Sequence, residues 1–146
     1  MRSFTYTTHI DRTPADVWAY MMDFSKASRW RNLVRSVEVL TPGPLHVGTE
    51  MKVTFDVRGQ VRSVISTVCS FEPERRFGVT NSERSVTGVF EYTLAPERGG
   101  TTVTFSCDVR PHGVMWLLLP WLLKSNRMRY TEQLSNLKKE VETRAA

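Results

Sequence analysis

Two runs decide the fold class: Val86-Thr87-Gly88-Val89-Phe90-Glu91-Tyr92-Thr93-Leu94-Ala95 and Thr102-Val103-Thr104-Phe105-Ser106-Cys107-Asp108-Val109-Arg110, joined through Pro96-Glu97-Arg98-Gly99-Gly100. In the second run Val103, Phe105, Cys107 and Val109 fall on one side, and Thr102, Thr104, Ser106, Asp108 and Arg110 on the other. In the first, Val86, Phe90, Tyr92 and Leu94 share a side. Period two with one apolar face is the signature of a half-buried strand. The link between the runs is made of turn formers, whereas a parallel pair needs a helical crossover, so the strands are expected to be antiparallel.

The same period extends upstream, with strands expected near 33–40, 47–57, 61–71 and 76–80. Thr41-Pro42-Gly43-Pro44, Arg58-Gly59-Gln60 and Glu72-Pro73-Glu74-Arg75 supply the turns. Strand 47–57 sets Met51, Val53, Phe55 and Val57 against Lys52, Thr54, Asp56 and Arg58. At the start, Ser3 to Ile10 alternates as a first strand, and Thr13-Pro14-Ala15-Asp16 then opens a helix. Thr13 suits the N-cap, Pro14 the first helical position, and Asp16 closes a variant of the capping box. Asp23 to Ser28 reads as a break and a second short helix ending near Trp30. At the other end Tyr130, Leu134, Leu137 and Val141 make one helical stripe opposite Glu132, Lys138 and Lys139. One sheet with one apolar face and one long helix to cover it gives an α+β protein. Where a curved sheet stands off from the helix, the gap becomes an apolar cavity; where the side chains meet, it is a filled core.

With 146 residues, 40% hydrophobic and 24% charged, the chain suits one domain, 1–146, with a real core. Its longest apolar run, Gly113 to Leu123, is about half of a bilayer span and is interrupted by Pro120, so no transmembrane helix is expected. No apolar leader is visible after Met1, and Cys69 and Cys107 lack the spacing of a zinc site or a disulfide scaffold. A cytoplasmic location with two buried, reduced cysteines follows as the expectation. The net charge is +5, yet residues 1–109 carry 13 Lys/Arg against 12 Asp/Glu, and residues 110–146 carry seven against three. The excess sits on the C-terminal helix, where a solvated face explains it, and no nucleic-acid motif stands beside it.

Catalytic signatures are sparse. There is no Gly-x-Ser-x-Gly elbow, and His9, His46 and His112 are scattered, so neither a metal nor a cofactor is expected. His112 lies between the last strand and the helix, beside Arg110. Tyr92, Asn81 and Arg84 are the donors that could reach inward, and no catalytic residue is assigned. Gly113 to Leu123 holds Trp116 and Trp121 and is followed by Lys124, Arg127 and Arg129. It reads either as a lid that touches an anionic membrane through 113–129, or as a helix buried on two sides or covered in a homodimer.

Ile10-Asp11-Arg12-Thr13-Pro14-Ala15-Asp16-Val17-Trp18, Asp23-Phe24-Ser25 and Trp30 resemble the opening of START-like (SRPBCC) superfamily proteins, in particular the polyketide cyclase/dehydrase and lipid-transport branch. Phe71-Glu72-Pro73-Glu74-Arg75-Arg76-Phe77, Tyr92-Thr93-Leu94, Gly100-Thr101-Thr102-Val103-Thr104 and the helix around Leu134 to Glu142 extend the resemblance over nearly the whole chain. It implies a helix-grip fold: a seven-stranded antiparallel sheet wrapped around a long C-terminal helix, with two short helices after the first strand and a ligand cavity between. It also implies that Trp18 and Phe24 pack the first helices, that Gly99-Gly100 sets a hairpin, and that Trp30 lies near the cavity mouth.

The function expected is binding or carriage of a hydrophobic small molecule or lipid. Cavity-lining positions are Trp30, Met51, Val53, Phe55, Phe90, Tyr92, Phe105, Cys107, Met115 and Leu119. The alternatives are a cofactor-free polyketide cyclase or dehydratase acting on an aromatic or polyketone substrate, and a macromolecular interaction module that meets RNA or a ribosome through the basic C-terminal helix. Nucleic acid is the least expected partner of these.

Overall fold

Arg2–Ile10 forms the first strand, β1, and Thr13 starts the helix that follows it. In the computed structural model, which describes residues 2–31, 34–57, 59–82, 86–111 and 132–143, the Thr13 hydroxyl accepts from the Asp16 N–H at 3.2 Å. Pro14 opens α1 (Pro14–Met22), where its missing N–H leaves nothing unpaired. A single 3₁₀ turn, Phe24–Lys26, leads into α2 (Ala27–Trp30). Six strands follow: β2 (Val34–Val39), β3 (Glu50–Val57), β4 (Gln60–Glu72), β5 (Arg76–Ser82), β6 (Val86–Glu97) and β7 (Gly100–Pro111). A helix, α3, occupies 132–143.

All pairings are antiparallel, and the sheet order is β1-β7-β6-β5-β4-β3-β2. β1 and β2 are therefore opposite edges, although they are consecutive in sequence, and the α1–α2 segment crosses between them. α1 lies against β6 and β7, and α2 against β2. The β6–β7 turn places Arg98 and Gly99 at φ +52° and +77°, the doubly left-handed geometry that matches strand twist.

Leu134, Leu137 and Val141 are buried in one cluster with the inner face of the sheet, while Glu132 and Lys139 face solvent. The stripe expected from the sequence thus packs where a gripping sheet needs it, and each such side chain contributes about 1.5–3 kcal/mol. The C-terminal end of α3 is also held by polar contacts to the β1–α1 corner. The Glu142 carboxylate accepts from the Asp11 N–H at 2.9 Å and from Lys138 Nζ at 2.7 Å. Lys138 donates as well to the His9 carbonyl at 2.7 Å, and Arg12 donates to the Glu142 carbonyl.

One irregularity re-aims the inner face. The β4–β5 register shifts between Val68 and Ser70, a β-bulge. Cys69 sits in it and is exposed, not buried as expected; Cys107 is buried, and the two form no disulfide. Strict alternation would turn Phe71 outward with Cys69. The extra residue returns it to the inner face, opposite Phe77. Among the described residues no helix is long and apolar enough to cross a membrane. The lid, membrane and dimer readings of 113–129 lie outside the described residues, as do Tyr130, His112 and Arg84.

Candidate ligand-binding face

Strand register arranges the inner face in rows. One row runs Phe71, Phe77, Tyr92, Phe105 and Tyr6 from β4 to β1. The next runs Val68, Val79, Phe90 and Cys107. A third runs Met51, Ser66, Asn81 and Gly88. Val53 with Val64, and then Phe55, continue the face towards the β3–β4 turn.

Around the first row the described side chains pack closely. Trp18 packs on Phe71 and Phe77 with ring centroids 5.7 and 6.5 Å apart, and Phe24 lies 6.2 Å from Phe77. Trp30 meets Tyr92 edge-on at 5.6 Å, and Tyr92 leans on Phe105 at 4.8 Å. The gap left between Met21, Met22, Phe24, Ala27, Trp30, Arg31, Phe77 and Tyr92 is about 10 Å³, room for one water at most. Trp30 is therefore a buried packing residue against Tyr92.

Polar groups at this end are few. The Tyr92 hydroxyl accepts a hydrogen bond from Gln133 Nε2 of α3. Burial pushes its pKa up to about 12, against the opposing pull of the Arg31 charge and the Gln133 bond, so the phenol stays neutral at physiological pH. The Trp30 indole N–H and Arg31 Nε are buried without a hydrogen-bond partner among the described residues.

Further along, the face loosens. Met51, Val53, Phe105 and Cys107 are at most 2% exposed, yet Phe55, Val64 and Phe90, which point the same way, are only half-buried. The Phe90 ring lies parallel to Phe105, 6.4 Å away, and over Gly88. A Cβ at Gly88 would stand 2.8 Å from that ring, so only glycine leaves it this place. Beside it, Ser66 donates a 2.5 Å hydrogen bond to Asn81 Oδ1.

The ten lining positions expected from the sequence divide accordingly. Met51, Val53, Phe55, Phe90, Tyr92, Phe105 and Cys107 all project from the inner face, Trp30 packs against it, and Met115 and Leu119 lie outside the described residues. Gln133 and Ser66 were not anticipated. Gln133 stands four residues before Leu137, on the margin of the apolar stripe, and Ser66 alternates with Val64 and Val68, so both were findable by period. Asn81 does reach the inner face. His9 Nε2 donates to the Glu97 carbonyl at 2.8 Å and His46 Nδ1 to Pro44 at 3.0 Å, so both serve turns. Among the described residues no group of three or more His, Cys, Asp or Glu could hold a metal ion.

Residues 1–142 match the family model described as polyketide cyclase / dehydrase and lipid transport. No curated protein matches the chain. Several solved structures share the fold. The Thermus thermophilus protein TTHA0849 is 16% identical, with a TM-score of 0.79 over 99% of this chain and 100% of that one. A START superfamily protein from Mycobacterium smegmatis is 13% identical, with a TM-score of 0.76 over 97% of each chain. StfQ, a di-domain ARO/CYC from the steffimycin biosynthetic pathway, is 12% identical, with a TM-score of 0.80 over 98% of this chain and 51% of that one. At such identities the likeness concerns the fold.

Proposed function

Because the chain belongs to the polyketide cyclase / dehydrase and lipid transport family, we propose that it encloses a hydrophobic small molecule or lipid against the inner face of its sheet. One observation carries this reading: Phe55, Val64 and Phe90 face inward beside fully buried neighbours and remain half-buried. Apolar side chains turned into a fold but incompletely covered gain about 25 cal/mol for each Å² that a ligand removes from water. The ligand lies at the Phe55–Phe90 end, since the gap among the described side chains beside Trp30 and Tyr92 holds one water at most. Met115 and Leu119 belong to the same lining by sequence pattern alone. Two cysteines without a disulfide accord with a cytoplasmic setting.

Titration with the apolar fluorophore N-phenyl-1-naphthylamine tests the reading. The account expects saturable binding at one site per chain, weakened at least tenfold in folded Phe55→Arg. Absence of saturable binding, or an unchanged affinity in that variant, contradicts it.

A second reading, a cofactor-free polyketide cyclase or dehydratase, is favoured by one feature, the Ser66–Asn81 pair within the apolar lining. A hydrogen-bond donor there could hold a developing enolate oxygen while the cavity orients the chain. Turnover of a synthetic polyketone, lost in Asn81→Leu, would select this reading over carriage.

A further inference from the structure

The Ser66–Asn81 pair is polar where its neighbours are not. Ser66 and Asn81 are direct partners across β4 and β5, and the adjacent row places Val68 opposite Val79. The sheet is paired equally well in both rows, so the polar pair adds nothing to the ladder that two valines would not. A buried hydroxyl must find a partner, and Ser66, 2% exposed, finds Asn81 Oδ1. Asn81 is not satisfied in return. Its amide keeps two N–H donors, and among the described residues Nδ2 meets no hydrogen-bond acceptor. Asn81 is half-buried, and its partner on β6 is Gly88, over which the Phe90 ring lies. A fixed donor therefore borders an incompletely covered aromatic surface, because Gly88, directly opposite Asn81 at roughly 5 Å, lies under the Phe90 ring.

We propose that Asn81, held in orientation by Ser66, recognises a neutral carbonyl or hydroxyl oxygen on an otherwise apolar ligand whose body lies on Phe90. This rests on the ligand-binding reading above. A neutral oxygen suits the site because Met51, Ser66, Asn81 and Gly88, the row from β3 to β6, include no ionisable side chain. Within that row a carboxylate would be desolvated without a counter-charge.

The test compares 2-acetylnaphthalene with 2-isopropylnaphthalene, in which a methyl group and a hydrogen replace the carbonyl oxygen, by calorimetric titration of the full chain. A purely apolar site favours the hydrocarbon, because the ketone leaves water at a cost. With the Asn81 donor in place, the ketone should bind about 3- to 10-fold tighter, the range of one hydrogen bond. Asn81→Leu should abolish that preference, the ketone losing affinity relative to the hydrocarbon. Ser66→Ala, a smaller change that frees the amide to turn, should reduce the preference by part of that amount. If the wild-type protein binds both probes and does not prefer the ketone, or if the preference survives Asn81→Leu and Ser66→Ala, the role of the pair is overturned while ligand binding stands. If the wild-type protein binds neither probe, the ligand-binding reading fails and this proposal fails with it.

Discussion

The Glu142 carboxylate, in the last turn of α3, accepts a hydrogen bond from the backbone N–H of Asp11 at 2.9 Å, joining residues 131 positions apart. Lys138 approaches the same oxygen at 2.7 Å, and Arg12 holds the Glu142 carbonyl. This end of the gripping helix is thereby fixed to the corner between the first strand and the first helix.

Acid should loosen that corner. The Asp11 hydrogen bond, then Lys138, hold the Glu142 pKa below its usual 4.5. A depressed carboxylate contributes stability that is fully present above its unfolded pKa and is lost as pH falls through the folded one. Thermal stability should therefore decline below about pH 4.5, and part of that decline should be absent in Glu142→Ala. At pH 7 the variant should lose about 1–2 kcal/mol, or about 3–6 °C in Tm. An identical pH profile for both proteins would deny Glu142 this role.

Tyr92 and Gln133 should behave as one unit. Tyr92→Phe leaves a buried Gln133 amide without its acceptor and should cost about 1–3 kcal/mol. Adding Gln133→Leu removes the orphaned group, so the double variant should lose less than the sum of the singles. Urea unfolding of the four proteins measures the difference, and strict additivity would mean that the two side chains do not interact.

Gly88→Ala separates binding from stability. The new Cβ meets only the far end of the Phe90 ring, which can swing aside, so the fold should lose no more than about 1–2 kcal/mol. The displaced ring would occupy the inner space, and affinity for N-phenyl-1-naphthylamine should fall several-fold. Unaltered binding with a lowered Tm would place the ligand away from Phe90.

Leu137 is fully buried between helix and sheet. Leu137→Ala should cost about 2–5 kcal/mol, and the exposed Lys139→Ala within about 0.5 kcal/mol, in chemical denaturation. Similar values for the two would refute the gripping packing of α3.

The pattern of residues carried the antiparallel sheet and the apolar stripe of α3, because period two and period 3.6 are local properties of a chain. Pairing of β1 with β7 is not local. Nothing in Phe4 or Tyr6 names Cys107 or Phe105 as partners, so the closing pair of the sheet was not legible in the pattern. Inner faces were legible on β3, β6 and β7, where alternation runs unbroken. On β4 the bulge at Cys69 reverses the phase, so the inward place of Phe71 was hidden from parity. For the site, alternation identified which side chains face inward but not which stay partly uncovered. Trp30 and Phe90 look alike as apolar aromatics, yet one closes the core against Tyr92 and the other lies half-buried over Gly88. That difference arises from the approach of other elements, which no single strand encodes.

The central claim is that the inner face of the sheet holds a hydrophobic ligand. Native mass spectrometry of freshly purified protein, followed by organic extraction, tests it most directly. The account predicts a mass excess of one apolar molecule per chain, released on denaturation and diminished in Phe55→Arg. A protein that carries no excess mass, and takes up none after incubation with a panel of lipids and aromatic ketones, would contradict it.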